Sequence, residues 1–467
     1  MSPVRNVVFT AAMLGMLGGC ASVSPDGGVK DVQTLAAGRT GGVEAAIANA
    51  PTLSNQKLIA DLLAQPLDAG AAVRIALLNN PGLHASLATL GISDAQRAQM
   101  GRLPNPSLAL GRLTQGDTVE IERVLRFDVL GLLTLPWRAQ WAGRQNELAQ
   151  LQAAQDVVKL AADTRKAWIN AVASQQTVRY MRDVKEAAQA GSELAQRLSK
   201  VGNWSRLNQA REQVFLVDAT AQLARSEQVA FACREQLNRL LGLWGEQTLY
   251  RLPDRLPDLP EAPRDISNVE AQAIRERLDV RSAISEATYV AESQGFFKVS
   301  GFVNALDVSI THNTISDNLS GTQETKRGLG VELPLPLFDW GQARSASSQY
   351  LYLQSVARVR EVGVRARSEA REAYHGYRTA FDLARYYRDA VVPLHQFISD
   401  EMLLRYSGMI SSIFELLADA RRSVLAVNAS IDAQRDFWLA DTDLQTTLNG
   451  TSPGGLAVKT GSPVKSD

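Results

Sequence analysis

The chain has 467 residues, 49 basic and 49 acidic side chains and 45% hydrophobic content. Zero net charge argues against a nucleic-acid partner, which needs a basic face to displace counterions. No internal apolar run reaches the roughly eighteen residues of a spanning helix, so if this chain crosses a bilayer it does so with strands.

Arg5 precedes an apolar run from Val7 to Leu17, then Leu17-Gly18-Gly19-Cys20. A basic start, a short apolar core and small residues before the break read as a secretory signal over 1–19. The cysteine after Leu-Gly-Gly resembles the lipobox of bacterial lipoproteins. That resemblance implies a covalent lipid on Cys20 as the first mature residue, and Ala21 rather than Asp implies the outer membrane. Cys233 is the only other cysteine. It has no disulfide partner and reads as a small buried apolar residue on a helix.

Residues 20–65 are rich in Gly, Ala, Ser and Asn with weak periodicity, and read as a flexible tether with one short helix. From Asp68 the helical AVRIALLNNPGLHA (72–85) is divided by Pro81, and its second helix runs to about Met100. LPNPSL (103–108) opens a strand near 107–113, and TQGD (114–117) leads into a second at 118–130. Val119, Ile121, Leu125, Phe127 and Val129 alternate with Glu120, Glu122, Arg126 and Asp128, so one face is apolar, with Arg123 the one exception, and the other polar. LTLPWRAQWAG (133–143) then turns through Pro136 into a helix that lasts to about residue 200. Leu151, Val158 and Val172 follow a seven-residue spacing, with Ala154, Ala161 and Trp168 alongside. Val201-Gly202-Asn203 turns the chain back. The return helix repeats Ala210, Val217, Ala224 and Phe231 beside Leu207, Val214 and Ala221. Sevens of this kind mark coiled coils, and the alanines let the axes come close.

LPDRLPDLPEAPRD (252–265) reads as extended linker. Beyond it the programme restarts: AIRERLDVRSAISEA (273–287) matches 75–89, and strand material follows at 297–311. A polar loop, THNTISDNLSGTQETK (311–326), leads to the second alternating strand. There Leu329, Val331, Leu333, Leu335 and Leu337 alternate with Gly328, Gly330, Glu332, Pro334 and Pro336. A second long helix spans 339–405 with only Pro393 inside it, and Gly408 matches Gly202. The final helix carries Leu417, Val424, Ile431 and Trp438, again at sevens. The divisions are therefore a first repeat at 66–242, a Pro-rich linker at 243–270, a second repeat at 271–448 and a disordered tail at 449–467.

Each repeat reads helix, helix, strand, strand, long helix, long helix. Four strands are too few to close a membrane barrel, since bacterial barrels begin at about eight. A cyclic trimer supplies twelve and leaves no open edge. The fold class that follows is mainly α with a membrane β-barrel. Three chains form a twelve-stranded barrel on a twelve-helix periplasmic tunnel. Odd positions 329–337 face lipid, even positions the lumen, and loops 113–117 and 311–326 the exterior. Trp137, Trp141 and Trp340 fall at the membrane boundary. A soluble strand pair beside a helical bundle is the competing architecture.

The order of these motifs resembles the TolC family of trimeric outer-membrane efflux ducts, in its lipoprotein branch. The resemblance is carried by the lipobox at 17–20, ALLNNPGL (76–83), LPNPSL (103–108), VELPLPLFDWGQAR (331–344), and the tip pair VGNWSRLNQAR (201–211) and YSGMISSIFELLADAR (406–421). It covers roughly 66–448. It implies a passive conduit, a homotrimer in outer-membrane lipid, docked on a periplasmic adaptor and an inner-membrane pump for drug or heavy-metal export. In the family, acids just past the second tip ring the closed aperture, and Glu415 and Asp419 stand in that place. ELLADA has one residue more between its acids than the family's usual spacing. Adaptor contacts fall on the tips around Gly202, Ser205, Gly408 and Ser411.

No catalytic residue, cofactor or resident metal site is expected. The four histidines (His84, His312, His375, His395) lack ligand spacing, and there is no phosphate-cradling glycine loop. Met402 and Met409 are the one hint of soft-metal traffic. The alternative reading is a non-transporting lipoprotein scaffold whose coiled coils hold envelope layers together.

Overall fold

The structure is a computed structural model that describes residues 22–43, 47, 52–300, 305–335, 337–338 and 340–453. Cys20, Pro336 and the tail beyond 453 lie outside the described residues. Two compact units divide the chain. One comprises the chain up to Lys30, Leu87–Gln152 and Arg281–Val362. The other comprises Asp31–Ser86, Ala153–Val280 and everything from Gly363.

The expected 20–65 tether is partly built structure, with two helices among its described residues, α1 (Val29–Ala36) and α2 (Leu53–Ala64). Val32 and Ala36 are fully buried. Arg39 donates to the carbonyl of Asn449 at 2.8 Å, pinning the segment after α1. Helices α3 (Ala69–Asn79) and α4 (Pro81–Met100) divide at Pro81 as expected. Asp68 caps α3 by accepting from the Ala71 amide at 2.7 Å.

Strands β1 (Ser107–Gln115) and β2 (Thr118–Asp128) form a hairpin, and the short α5 (Val129–Leu133) follows. Then comes α6 (Leu135–Lys200), 66 residues without interruption. At 1.5 Å per residue it is about 100 Å long. Its seam is buried as the sevens require: Leu151, Ala154, Val158, Ala161, Trp168 and Val172 are all nearly inaccessible. Trp168 donates its indole N–H to the Leu67 carbonyl at 2.7 Å, so the buried ring leaves no polar group unsatisfied. Helix α7 (Arg206–Leu241) returns. The joint at its end is held from α3, where the Asn79 amide donates to the carbonyls of Leu241 and Gly242.

The proline-rich stretch is not free linker. Tyr250, Leu252 and Leu256 are buried in the core with Trp168 and Val172. The prolines fix an extended backbone, and the leucines between them supply the apolar contacts. Cys233 is half-buried against the same cluster.

The second copy begins with α8 (Val269–Glu276) and α9 (Leu278–Ser300). Between them Arg277, fully buried, stands 198 positions after Asn79. It is bridged to Asp279 at 2.6 Å and Glu369 at 2.7 Å. At matching positions the first copy thus carries a neutral amide that holds the end of α7, and the second a buried guanidinium held by Asp279 and by Glu369 of the next long helix. A buried guanidinium is tolerable only with such partners.

Strands β3 (Asp307–Asp317) and β4 (Thr322–Glu332) correct two expectations. The strand placed at 297–311 starts ten residues later, because helix α9 continues to Ser300. The polar loop at 311–326 is mostly strand, and only 318–321 turns. Polar side chains hid a segment whose Thr311, Thr314 and Ile315 suit a pleated backbone. All four strands form one antiparallel sheet in the order β1-β2-β3-β4. The two copies are joined through β2 and β3, where Leu125 faces Ile310.

The second long helix is also divided. α10 (Gln342–Tyr386) gives way to a π turn at Tyr387–Val391, and α11 (Val392–Ser407) follows with Pro393 in its first turn. Pro393 has no N–H to continue the ladder, and the wider π turn absorbs the mismatch. α12 (Ile413–Asn449) closes the fold over a core of Tyr377, Phe381 and Phe437.

Candidate functional site

The sheet has two unlike faces. Side chains alternate along each strand, and the register assigns every one to a side. Leu108, Leu125, Ile310 and Leu329 form one cross-strand row, and Phe127, Val308 and Val331 form the next. Leu108, Leu110, Leu329 and Val331 are each more than 60% exposed. The opposite face carries every carboxylate of the strands: Glu120, Glu122, Asp128, Asp307, Asp317, Glu324 and Glu332. Only Arg126 and Lys326 oppose them there; Arg126 lies 3.5 Å from Glu332. Asn313 donates to Glu120 at 2.7 Å. Small residues keep this face open: a side chain at Gly330 would meet the Ser309 hydroxyl at 2.6 Å. Strands β1 and β4 are edges with no further strand beside them among the described residues.

A single chain thus presents a strongly apolar sheet face, an acidic sheet face and two open edges. Any of these is costly for an isolated soluble domain.

The two helical tips are built alike. At the end of α6, Gly202 donates to the Ser199 carbonyl at 3.1 Å and Asn203 to Leu198 at 3.0 Å. Gly202 takes the left-handed φ of 79° that this ending requires. At the end of α11 the same pair of bonds runs from Met409 to Tyr406 (3.0 Å) and from Ile410 to Arg405 (2.8 Å). The left-handed residue there is Met409, with φ 57°, whereas Gly408 has φ −79°.

The match of Gly408 to Gly202 is therefore corrected by one residue to Met409. Ser205 caps α7 by accepting from the Asn208 amide, and its counterpart is Ser412, not Ser411. Met409 and Ile410 are 94% and 79% exposed, so the second tip is capped by apolar side chains.

Glu415 closes a capping box. Its amide donates to the Ser412 hydroxyl, and its carboxylate accepts from the Ser412 N–H at 3.1 Å. The signal was in the sequence, as Ser412-Ile413-Phe414-Glu415. Asp419, one helical turn beyond Glu415, is buried. It is 6% exposed and accepts from the Ser399 hydroxyl at 2.8 Å, across its own hairpin.

Beside them lies a pairing with no local signature. Arg421 donates to Glu212 at 2.7 Å and stacks over Phe215 at 4.5 Å, tying α12 to α7. Glu212 is buried, so this link is the carboxylate's compensation for leaving water. The two partners lie 209 positions apart, and no local pattern couples them.

The described residues hold no cluster of three or more metal-ligating side chains. Met402 is half-buried and Met409 exposed. Trp137 and Trp340 are half or more exposed beside the sheet in sequence.

No protein-family model matches the chain, and no curated protein sequence matches it. Solved structures do. A membrane protein from Pseudomonas aeruginosa is similar over 86% of this chain and 97% of its own, with a TM-score of 0.70 at 18% identity. The Campylobacter jejuni CmeC outer membrane channel matches over 83% of this chain and 87% of its own, with a TM-score of 0.70 at 15% identity. The open state of the Neisseria gonorrhoeae MtrE outer membrane channel matches over 82% and 89%, with a TM-score of 0.67 at 16% identity. The chain has the fold of these outer membrane channels, long helices with a small antiparallel sheet, in line with the resemblance to the TolC family.

Proposed function

We propose that this chain is one third of a TolC-type outer-membrane duct, through which solutes leave the periplasm by passive passage. The observation that carries the reading is the four-stranded sheet with one apolar face, one acidic face and two open edges. Three such sheets joined edge to edge leave no strand unpaired, turn leucines to lipid and line a lumen with carboxylates. The helices supply a second argument. On α7 the seven-residue stripe is not buried by its own chain: Leu207, Val214, Val217 and Phe231 are each about 60% or more exposed. A heptad stripe left open calls for another helix, and a second copy supplies one.

Twelve strands and a helical tunnel follow from threefold closure. The tips at Gly202–Ser205 and Met409–Ser412 are the contact points for a periplasmic adaptor, itself engaged with an inner-membrane pump that selects the cargo, whether drug or metal. Ser411 and Gly408 flank that contact at the second tip. Glu415, exposed at the first turn of α12, supplies charge to the periplasmic aperture. Asp419 contributes there only in a conformation that releases Ser399. A lipid on Cys20 anchors the chain, and labelling with a palmitate analogue, abolished by Cys20→Ser, tests that element.

Reconstitution of the full chain in planar bilayers tests the duct. It is expected to form channels with cation preference, and Glu415→Ala is expected to raise conductance or weaken divalent-cation block. A protein that inserts no channels at any voltage would favour the envelope-scaffold alternative.

A further inference from the structure

The apolar sheet face is not apolar to its tip. Directly beyond the row of Leu125, Ile310 and Leu329, on the side of the hairpin turns, Leu110 pairs with Arg123 and His312 with Arg327, and the β2–β3 register, which pairs Ile121 with Thr314 and Val124 with Thr311, brings these two pairs level. Arg112 adjoins them diagonally, since it faces Ile121 two positions from Arg123. Arg123 is held by a 3.0 Å bond to the Thr314 hydroxyl, a neutral partner. Every strand carboxylate belongs to the other face, so no strand acid neutralises this row.

Arg112 lies diagonal to Arg123 and Arg327 lies across His312, so three guanidiniums share one patch without a counter-charge on the strands, and like charges so placed are unfavourable. Arginine within an apolar band is also costly, but the cost falls towards nothing at the band's edge. Both costs vanish if the row meets fixed negative charge at the boundary of the hydrocarbon. Guanidinium groups pair with phosphate oxygens through paired, charge-assisted hydrogen bonds.

We propose that Arg112, Arg123, His312 and Arg327 form a basic belt that binds the phosphates of lipid headgroups in the outer leaflet. This rests on the membrane-barrel reading, which sets the apolar face against lipid and the hairpin turns outside. The occupant is a phosphorylated lipid, not a permeating anion, because the belt shares its face with the leucines and not with the lumen acids. Three copies repeat it around the barrel, beside every sheet.

The test uses the full chain in vesicles of phosphatidylcholine with lipid A, a glycolipid bearing two phosphates, or with its enzymatically dephosphorylated form. The amount of each lipid retained through detergent extraction is read by mass spectrometry. Wild type is expected to retain lipid A over the dephosphorylated form, a comparison that needs no variant. Arg123→Gln with Arg327→Gln is expected to weaken retention ~10-fold or more. Arg123→Lys with Arg327→Lys restores most of it, and Lys326→Gln on the lumen face leaves it unchanged. Equal retention of the two lipids by wild type, or equal loss with Lys326→Gln, overturns the belt while channel insertion keeps the barrel. Failure of wild type to insert overturns both.

Discussion

At the first tip Gly202 holds the left-handed position that ends α6; at the second, Met409 holds it at the end of α11. The backbone bonds are the same, and so is the serine cap three residues on, Ser205 in one and Ser412 in the other. What differs is the cargo on that frame. The first tip has the residue its geometry prefers and an asparagine, Asn208, at the third helical position. The second accepts a strained methionine, exposes it with Ile410, and puts Glu415 where Asn208 stood. The duplicated hairpins keep one frame, and the second copy takes on backbone strain at its left-handed residue.

Breaking the tie between the hairpins is expected to have the largest effect. Arg421→Ala leaves Glu212 buried without its partner, which costs about 3 kcal/mol given that Arg421 itself is part-exposed. Amide exchange at the α11–α12 tip should accelerate well beyond that of the α6–α7 tip, and Glu212→Gln should do so less. Equal protection of both tips in Arg421→Ala would mean the pair does not fasten them.

Exchanging the left-handed residues comes next. Met409→Gly should stabilise the second tip by about 1 kcal/mol, and Gly202→Met should destabilise the first by a similar amount. Opposite shifts in local exchange protection are the signature; shifts of one sign would show that the tips do not share a frame. The smallest effect is at the caps. Ser412→Ala and Ser205→Ala should each cost about 1 kcal/mol or less in hairpin stability. The loss at Ser412 should be the greater, because Glu415 loses its reciprocal arrangement with the capping residue there.

Much of this frame was legible in the sequence. The proline-free run after Pro136 gave α6 its length, and the sevens on it gave the buried seam. The division at Pro81 and the alternation at 119–129 stood in the residues as well. The strands at 311–317 and 322–326 did not, because period-two alternation is read from apolar residues. Near the hairpin turns both faces of this sheet are largely polar. The one-residue offset between the tips was hidden by Gly408, a glycine next to the position where glycine is expected. Asp419 and Arg421 could not be placed from spacing alone. Their partners, Ser399 and Glu212, are brought to them by helix packing, which local pattern does not encode.

The duct requires three copies that share sheet edges β1 and β4. The mass of the detergent-solubilised full chain, measured by light scattering with the detergent subtracted, tests this most directly. Three chains per particle are expected. A stable particle containing one chain, with both edges protected from amide exchange, would contradict it.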